Sequence, residues 1–157
     1  MVSETGEMHR STLEALRAKW ESEGVEVPAG VTQDDIAQFE QRHRVSLHPD
    51  FKAFYLAMDG MGPDLSNSDL ELNHYWPLNR VQPLAGITAS DDDESGLFAF
   101  MDWAINAEIY AIALRDNQHP VGTIVEACTG KVVAKSIAEF FKAGDGNRKL
   151  THSVTEN

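Results

Sequence analysis

Residues 30–62 constrain the fold most, because they encode two consecutive helices together with the residues that begin and end them. Thr32 is a typical N-cap, since its side-chain oxygen can accept a hydrogen bond from an unpaired N–H of the first turn. Pro49 suits the first turn of a second helix, where no backbone N–H is needed. Residues recur at helical spacing after both starts: Ile36, Phe39 and His43 in the first helix, and Phe51, Phe54, Tyr55 and Met58 in the second. The segment therefore predicts a helix pair that closes at Gly60 and Gly62.

The order of short motifs in this segment resembles the opening of the SUKH superfamily, the SMI/KNR-type domain. The matching residues are Phe39-Glu40, Leu47, Asp50-Phe51 and Asp59-Gly60. The family carries a proline where His48 stands, and here Pro49 comes one place later, so we expect the helix start to be kept. Later segments around Trp76-Pro77-Leu78, 98–100 and 134–141 are also similar, and the resemblance covers about residues 11–142.

The rest of the chain changes from helical to extended patterns. Residues 9–22 predict an N-terminal helix and residues 136–143 a C-terminal one. Between them, runs of strand-forming residues lie at 74–78, 97–100, 109–114, 121–127 and 132–133. Their short connections favour antiparallel pairing, because parallel pairing needs long crossovers. We predict an α+β fold with a mostly antiparallel β-sheet and helices packed around it, as the resemblance also implies. We expect one domain over 1–157, with its core at about 11–142 and a polar tail at 144–157.

The charge of the chain is strongly negative and unevenly distributed. The net charge is −12, and residues 63–104 hold eight acidic residues and one basic residue. Such a surface repels nucleic acid and anionic lipid, and it attracts a basic partner at a rate that falls with salt. The alternative is an ordinary solvated acidic surface that keeps the protein in solution.

The acidic run Asp91–Glu94 is the sharpest local feature of this segment. It is consistent with a partner-facing loop, a solvated loop or a calcium loop. In the calcium reading, Asp91, Asp93 and Ser95 would occupy ligand positions and Asp102 the twelfth position. That position normally holds a bidentate Glu, and the flanking residues are not helical patterns. The sequence therefore predicts no metal site.

The predicted partner-binding set combines acidic residues with two aromatic anchors. Tryptophan is enriched among the residues that dominate interface energies. Trp76 has apolar neighbours, so its placement in the core is the alternative to its role as an anchor. The full set is Asp91, Asp92, Asp93, Glu94, Asp102, Trp103, Trp76, Asp64, Asp69 and Glu71.

The local signatures of catalysis are missing from the sequence. The six histidines show no HExxH spacing, and no G-x-S-x-G, S-x-x-K, G-x-G-x-x-G or Walker motif is present. Cys128 follows an apolar strand pattern, so we expect a buried, inert thiol. We therefore predict no catalytic residues and no cofactor. The single cysteine fits a reducing compartment, and no signal-peptide pattern or membrane-length apolar run is present, which favours a cytoplasmic protein without membrane contact.

The resemblance implies a binding protein, since bacterial members of the superfamily are typically immunity proteins that neutralise a toxin, often a nuclease. Our first expectation is a non-catalytic immunity protein that binds a cognate toxin with a basic surface and does not bind nucleic acid directly. The alternative is a scaffold or regulatory interaction domain of the SMI/KNR type. A small hydrolase that uses dispersed carboxylates is the least supported reading.

Overall fold

The computed structural model describes residues 10–64, 66–85 and 96–142. Three helices come first: α1 (Arg10–Ser22), α2 (Gln33–His43) and α3 (Pro49–Ala57). The strands follow as β1 (Asn73–Tyr75), β2 (Gln82–Pro83), β3 (Leu97–Trp103), β4 (Glu108–Ala113), β5 (Ile124–Glu126) and β6 (Val132–Ala134). A 3-10 turn at Leu78–Arg80 separates β1 from β2, and residues 137–142 form a last helix, α4.

The predicted start of α2 is confirmed and is more complete than a single cap. Thr32 Oγ1 accepts the Asp35 N–H at 3.0 Å, and the Asp35 carboxylate accepts the Thr32 N–H at 3.0 Å. This reciprocal pair is a capping box, which satisfies two backbone donors at once. The helix ends at Arg44, whose backbone is left-handed with φ 58°.

The predicted start of α3 is also confirmed. Pro49 lies in the first turn, and His48 Nδ1 accepts the Asp50 N–H at 3.1 Å. The histidine thus caps the helix where the family pattern has proline. The one-place shift of the proline therefore keeps the helix start, as expected.

The predicted α+β architecture and antiparallel sheet are confirmed. The strand order is β1-β3-β4-β5-β6, with β2 paired to β3 at one side, and every pair is antiparallel. The strand predicted at 121–127 is shorter, because a turn with Gly122 at φ 101° and a Thr123 N–H to Pro120 carbonyl hydrogen bond occupies its first residues.

Aromatic side chains join the helices to the sheet. Trp20 of α1 stacks on Tyr75 of β1 with ring centroids 5.1 Å apart. Phe100 of β3 lies 5.7 Å from Phe51 of α3 and 6.0 Å from Phe140 of α4. All five side chains are buried. Edge-to-face and offset contacts of this kind add to the free energy gained from burial.

A register shift interrupts the pairing of β3 with β4. Ala99 lies opposite Ala111 and Met101 lies opposite Tyr110, so Phe100 is one extra residue on β3. This is a β-bulge. Beyond it, Asp102 lies opposite His74 of β1.

The expectation for Cys128 is wrong. Its strand ends at Glu126, so Cys128 falls in the following turn and is exposed. Its backbone N–H donates to the Glu108 carboxylate at 3.2 Å. Among residues 10–64, 66–85 and 96–142, no helix is both long and apolar enough to traverse a bilayer.

Candidate protein-binding surface

Two acidic segments meet where β1 begins and β3 ends, and we call residues 64, 66–73 and 102–108 the acidic corner. The ladder places Asn73 opposite Trp103. The Ala104 N–H then donates to the Leu72 carbonyl at 2.9 Å, which extends the contact beyond the strands. The two segments hold no lysine or arginine and five carboxylic acids: Asp64, Asp69, Glu71, Asp102 and Glu108.

The loop before β1 is held by the carboxylate of Asp69. Its Oδ1 accepts the backbone N–H of Glu71 at 3.0 Å and that of Asn73 at 2.9 Å. Hydrogen bonds from backbone N–H groups to an aspartate side chain stabilise a turn that has no regular secondary structure. The loop is also tied to α1, because Glu23 accepts the Leu70 N–H at 3.0 Å.

The surroundings of Glu23 favour its ionised form despite partial burial. Burial acts to raise the pKa of Glu23, but hydrogen bonds from the Lys19 ammonium at 2.7 Å and the Leu70 N–H outweigh it and lower the pKa. Lys19 is thus engaged by Glu23 at the side of the corner.

The β3–β4 connection has an unusual backbone. Ala104, Ile105 and Asn106 have φ values of 53°, 54° and 66°, and Leu72 on the facing loop has φ 73°. Residues other than glycine adopt this left-handed region at an energetic cost, least for asparagine. Asp102 supports the turn, because its Oδ1 accepts the Asn106 N–H at 3.2 Å.

Trp76 and Asp102, expected from the sequence to contact a partner, must be corrected. Both are 1% exposed, and the Trp76 indole N–H donates to Asp102 Oδ2 at 2.7 Å. The Arg80 guanidinium lies over the Trp76 ring, 4.1 Å from its centroid. A buried indole N–H needs an acceptor, and this carboxylate supplies it. The two residues therefore support the corner from inside.

The other predicted residues have mixed placements. Asp69 is buried and holds its loop, so it too is corrected from a surface contact to a structural residue. Asp64 is exposed, and hydrogen bonds from the Ser66 hydroxyl and N–H lower its pKa. Glu71 and Trp103 are half-buried, and the Trp103 indole N–H donates to the Glu71 carbonyl at 2.9 Å. The run Asp91–Glu94 lies outside the described residues.

Sequence reasoning missed four residues of the corner: Leu70, Leu72, Ile105 and Glu108. The three aliphatic ones are exposed, which sequence patterns rarely reveal because an aliphatic residue is normally taken as core. Their positions in the sequence could have indicated exposure. Leu70 and Leu72 lie in a polar, turn-rich segment, and Ile105 lies between Ala104 and Asn106. Glu108 was visible only as one more acid, and its carboxylate accepts the N–H groups of Ile109 and Cys128.

An open groove of about 630 Å³ lies elsewhere, between the α2–α3 connection and the residues after β4. Its polar side chains hold the fold. Glu40 accepts the Leu47 N–H at 2.8 Å, His48 caps α3, and the Arg115 guanidinium donates to the His43 carbonyl. These contacts give the groove residues structural roles. Within the part of the chain that the structure describes, no three His, Cys, Asp or Glu side chains are grouped to hold a metal ion.

Comparison with known families gives one result over most of the chain. The model described as SMI1 / KNR4 family (SUKH-1) matches residues 30–143. A search of curated proteins gives no match. The matched range begins just before the capping box of α2 and includes the whole described sheet.

Proposed function

The chain belongs to the SMI1 / KNR4 family (SUKH-1), and from this membership we propose that it is a cytoplasmic immunity protein that binds and neutralises a cognate toxin with a basic surface. The acidic corner supports this proposal most directly, since its two contacting segments hold no lysine or arginine and three of their five carboxylic acids have access to solvent. The protein acts by binding and has no catalytic role of its own.

Charge contributes mainly to the rate and selectivity of association. A surface with clustered carboxylates creates a negative potential that guides a basic partner toward it and repels nucleic acid. Among the carboxylates of the corner, Asp64 is exposed, and Glu71 and Glu108 are half-buried with access to solvent. The run Asp91–Glu94 adds four negative charges to the same protein and belongs to the proposed binding surface.

The mechanism is mimicry of a polyanion. If the toxin is a nuclease, its substrate site is built to bind phosphates with lysine and arginine, and carboxylates on a fixed scaffold can occupy the same positions. Half-buried Trp103 provides an aromatic face next to those charges, and its indole hydrogen bond to the Glu71 carbonyl fixes its position.

The single-domain organisation predicted for residues 1–157 stays a prediction.

The test captures the partner from the source cell's lysate with the tagged chain and then co-expresses this chain with any captured basic protein. We expect that protein to be toxic alone and harmless with the chain present, and we expect inactivation to be complete at one chain per toxin. Inactivation by far less than one equivalent would contradict a binding mechanism. Loss of the partner in favour of a stable host complex would favour the scaffold alternative.

A matched pair of charge variants locates the interaction. Asp64→Asn with Glu71→Gln removes two charges from the corner, whereas Glu14→Gln with Asp116→Asn removes two exposed charges elsewhere. We expect the first pair to slow association and flatten its dependence on salt, and the second pair to have little effect. Equal effects from both pairs would show that only net charge matters and would contradict the corner as the site.

A further inference from the structure

Three large aliphatic side chains at the acidic corner are exposed to solvent. The exposed fractions are 75% for Leu70, 51% for Leu72 and 68% for Ile105. Single exposed aliphatic residues are common on protein surfaces, but clustered ones mark interaction sites more often. Among the residues that the structure describes, only one other large hydrophobic is comparably exposed, Val132 on β6 at 46%.

The three residues lie on two segments that are joined by hydrogen bonds. The Ala104 N–H donates to the Leu72 carbonyl, and the Trp103 indole donates to the Glu71 carbonyl. Leu70 and Leu72 are therefore beside the turn that carries Ile105, and we call the three residues the aliphatic cluster.

Two of the three residues also have backbone conformations that disfavour them. Leu72 has φ 73° and Ile105 has φ 54°, in the left-handed region where glycine and asparagine are preferred. A β-branched residue such as isoleucine is especially unfavourable there. At these positions asparagine would suit the backbone and the solvent better. Leucine and isoleucine at these positions therefore lower the stability of the folded state, and binding surfaces commonly carry such a cost.

The charge around the cluster determines what can cover it. The neighbouring carboxylates, with Asp64 and Glu71 on the solvent side, match a partner whose apolar contact area is surrounded by lysine and arginine. A second copy of this chain is disfavoured, because each copy carries a net charge of −12 and would place the same acidic corner against itself.

We propose that Leu70, Leu72 and Ile105 form the apolar centre of the toxin interface, with the solvent-accessible carboxylates of the acidic corner as its charged rim. This inference rests on the proposed function and specifies its contact surface. Interfaces of this design gain most of their affinity from a desolvated centre and most of their rate and selectivity from the charged rim.

The test uses a double variant that removes the apolar groups while favouring the backbone. Leu72→Asn with Ile105→Asn places asparagine at two left-handed positions, so we expect the melting temperature to be unchanged or raised. Binding to the basic protein captured by the wild type should weaken at least about tenfold, with an unchanged dependence on salt. Val132→Ser is the control, because it removes an exposed aliphatic group from β6, which lies four strands along the sheet from β1.

The outcomes separate this inference from the function on which it rests. If the wild type binds and the asparagine variant binds within about twofold as tightly, the apolar centre is refuted while the immunity function stands. If the wild type does not bind the basic protein, both fail together. If the wild type forms dimers that the asparagine variant does not, the occupant is a second copy and the inference is wrong.

Discussion

Replacing Asp102 by alanine should destabilise the protein, because this buried carboxylate is the acceptor for the Trp76 indole N–H. The hydrogen bond is 2.7 Å long and both residues are 1% exposed, so the indole donor would lose its partner without gaining water. Leaving a buried donor unsatisfied costs about 1–3 kcal/mol. The Asn106 N–H would also lose its acceptor, while removal of a buried charge offsets part of the loss.

These contributions give a net loss of about 2 kcal/mol in the free energy of unfolding. For a chain of this length the melting temperature should fall by about 4–8 °C. Urea denaturation followed by tryptophan fluorescence measures the change, and an unchanged m-value would show that the native and unfolded states stay comparable in compactness. Asp116→Ala, an exposed acid, is the control and should change stability by less than about 0.5 kcal/mol.

A double-mutant cycle tests the assigned partner. In a Trp76→Phe background the indole donor is already absent, so Asp102→Ala should cost less, with a coupling energy of about 1 kcal/mol or more. The same cost in both backgrounds would refute the assigned hydrogen bond. A variant of wild-type stability that fails to bind the proposed partner would instead restore Asp102 as a surface contact.

Two further predictions concern the end of α3. Burial raises the pKa of Asp59 against the lowering effect of the Leu78 N–H hydrogen bond. The contribution of the neutral carboxyl group to folding stability is therefore fully present below the unfolded pKa of 3.8 and is lost as pH rises through the folded pKa. Asp59→Asn should therefore melt higher than the wild type near neutral pH, with a difference that shrinks toward about pH 3; a pH-independent difference would contradict this assignment. Gly60→Ala should cost about 3 kcal/mol or more, since Gly60 has φ 61° and an added Cβ would meet the Tyr75 and Trp76 carbonyls. Gly24→Ala, with φ 91° and open space, should cost only about 1 kcal/mol, and equal losses in urea unfolding would show that the contact is relieved.

The helix pair could be predicted because its signals are local. Thr32 and Asp35 are three residues apart, and both partners of the capping box lie within one turn. The same holds for Pro49 and its helix start. The antiparallel pairing of β3 with β4, β4 with β5 and β5 with β6 followed from short connections, which leave little choice of neighbour.

The surface could not be predicted residue by residue, because its arrangement depends on pairs that are distant in the chain. Trp76 and Asp102 are 26 residues apart, and nothing in either segment shows that they bond to each other. An acid in an acidic segment is typical of a surface, so Asp102 was assigned there. Exposure of Leu72 and Ile105 depends likewise on the meeting of two loops, and Cys128 was misplaced because its strand ends two residues before it.

The bulge at Phe100 changes which residues of β3 face the core and which face the acidic corner. Alternation along an uninterrupted strand would place Asp102 on the same side as Phe98 and Phe100, among the aromatic rings of the core. The extra residue offsets the alternation, so Met101, opposite Tyr75, takes the helix side and Asp102 is directed to Trp76. The alternation of side chains along β3 therefore has two phases. The phase before the bulge places Phe98 in the core, and the phase after it directs Asp102 toward the acidic corner. We expect the turn after β3 to change freely as partners change, while the core-facing residues stay fixed by packing and Asp102 by its hydrogen bond to Trp76.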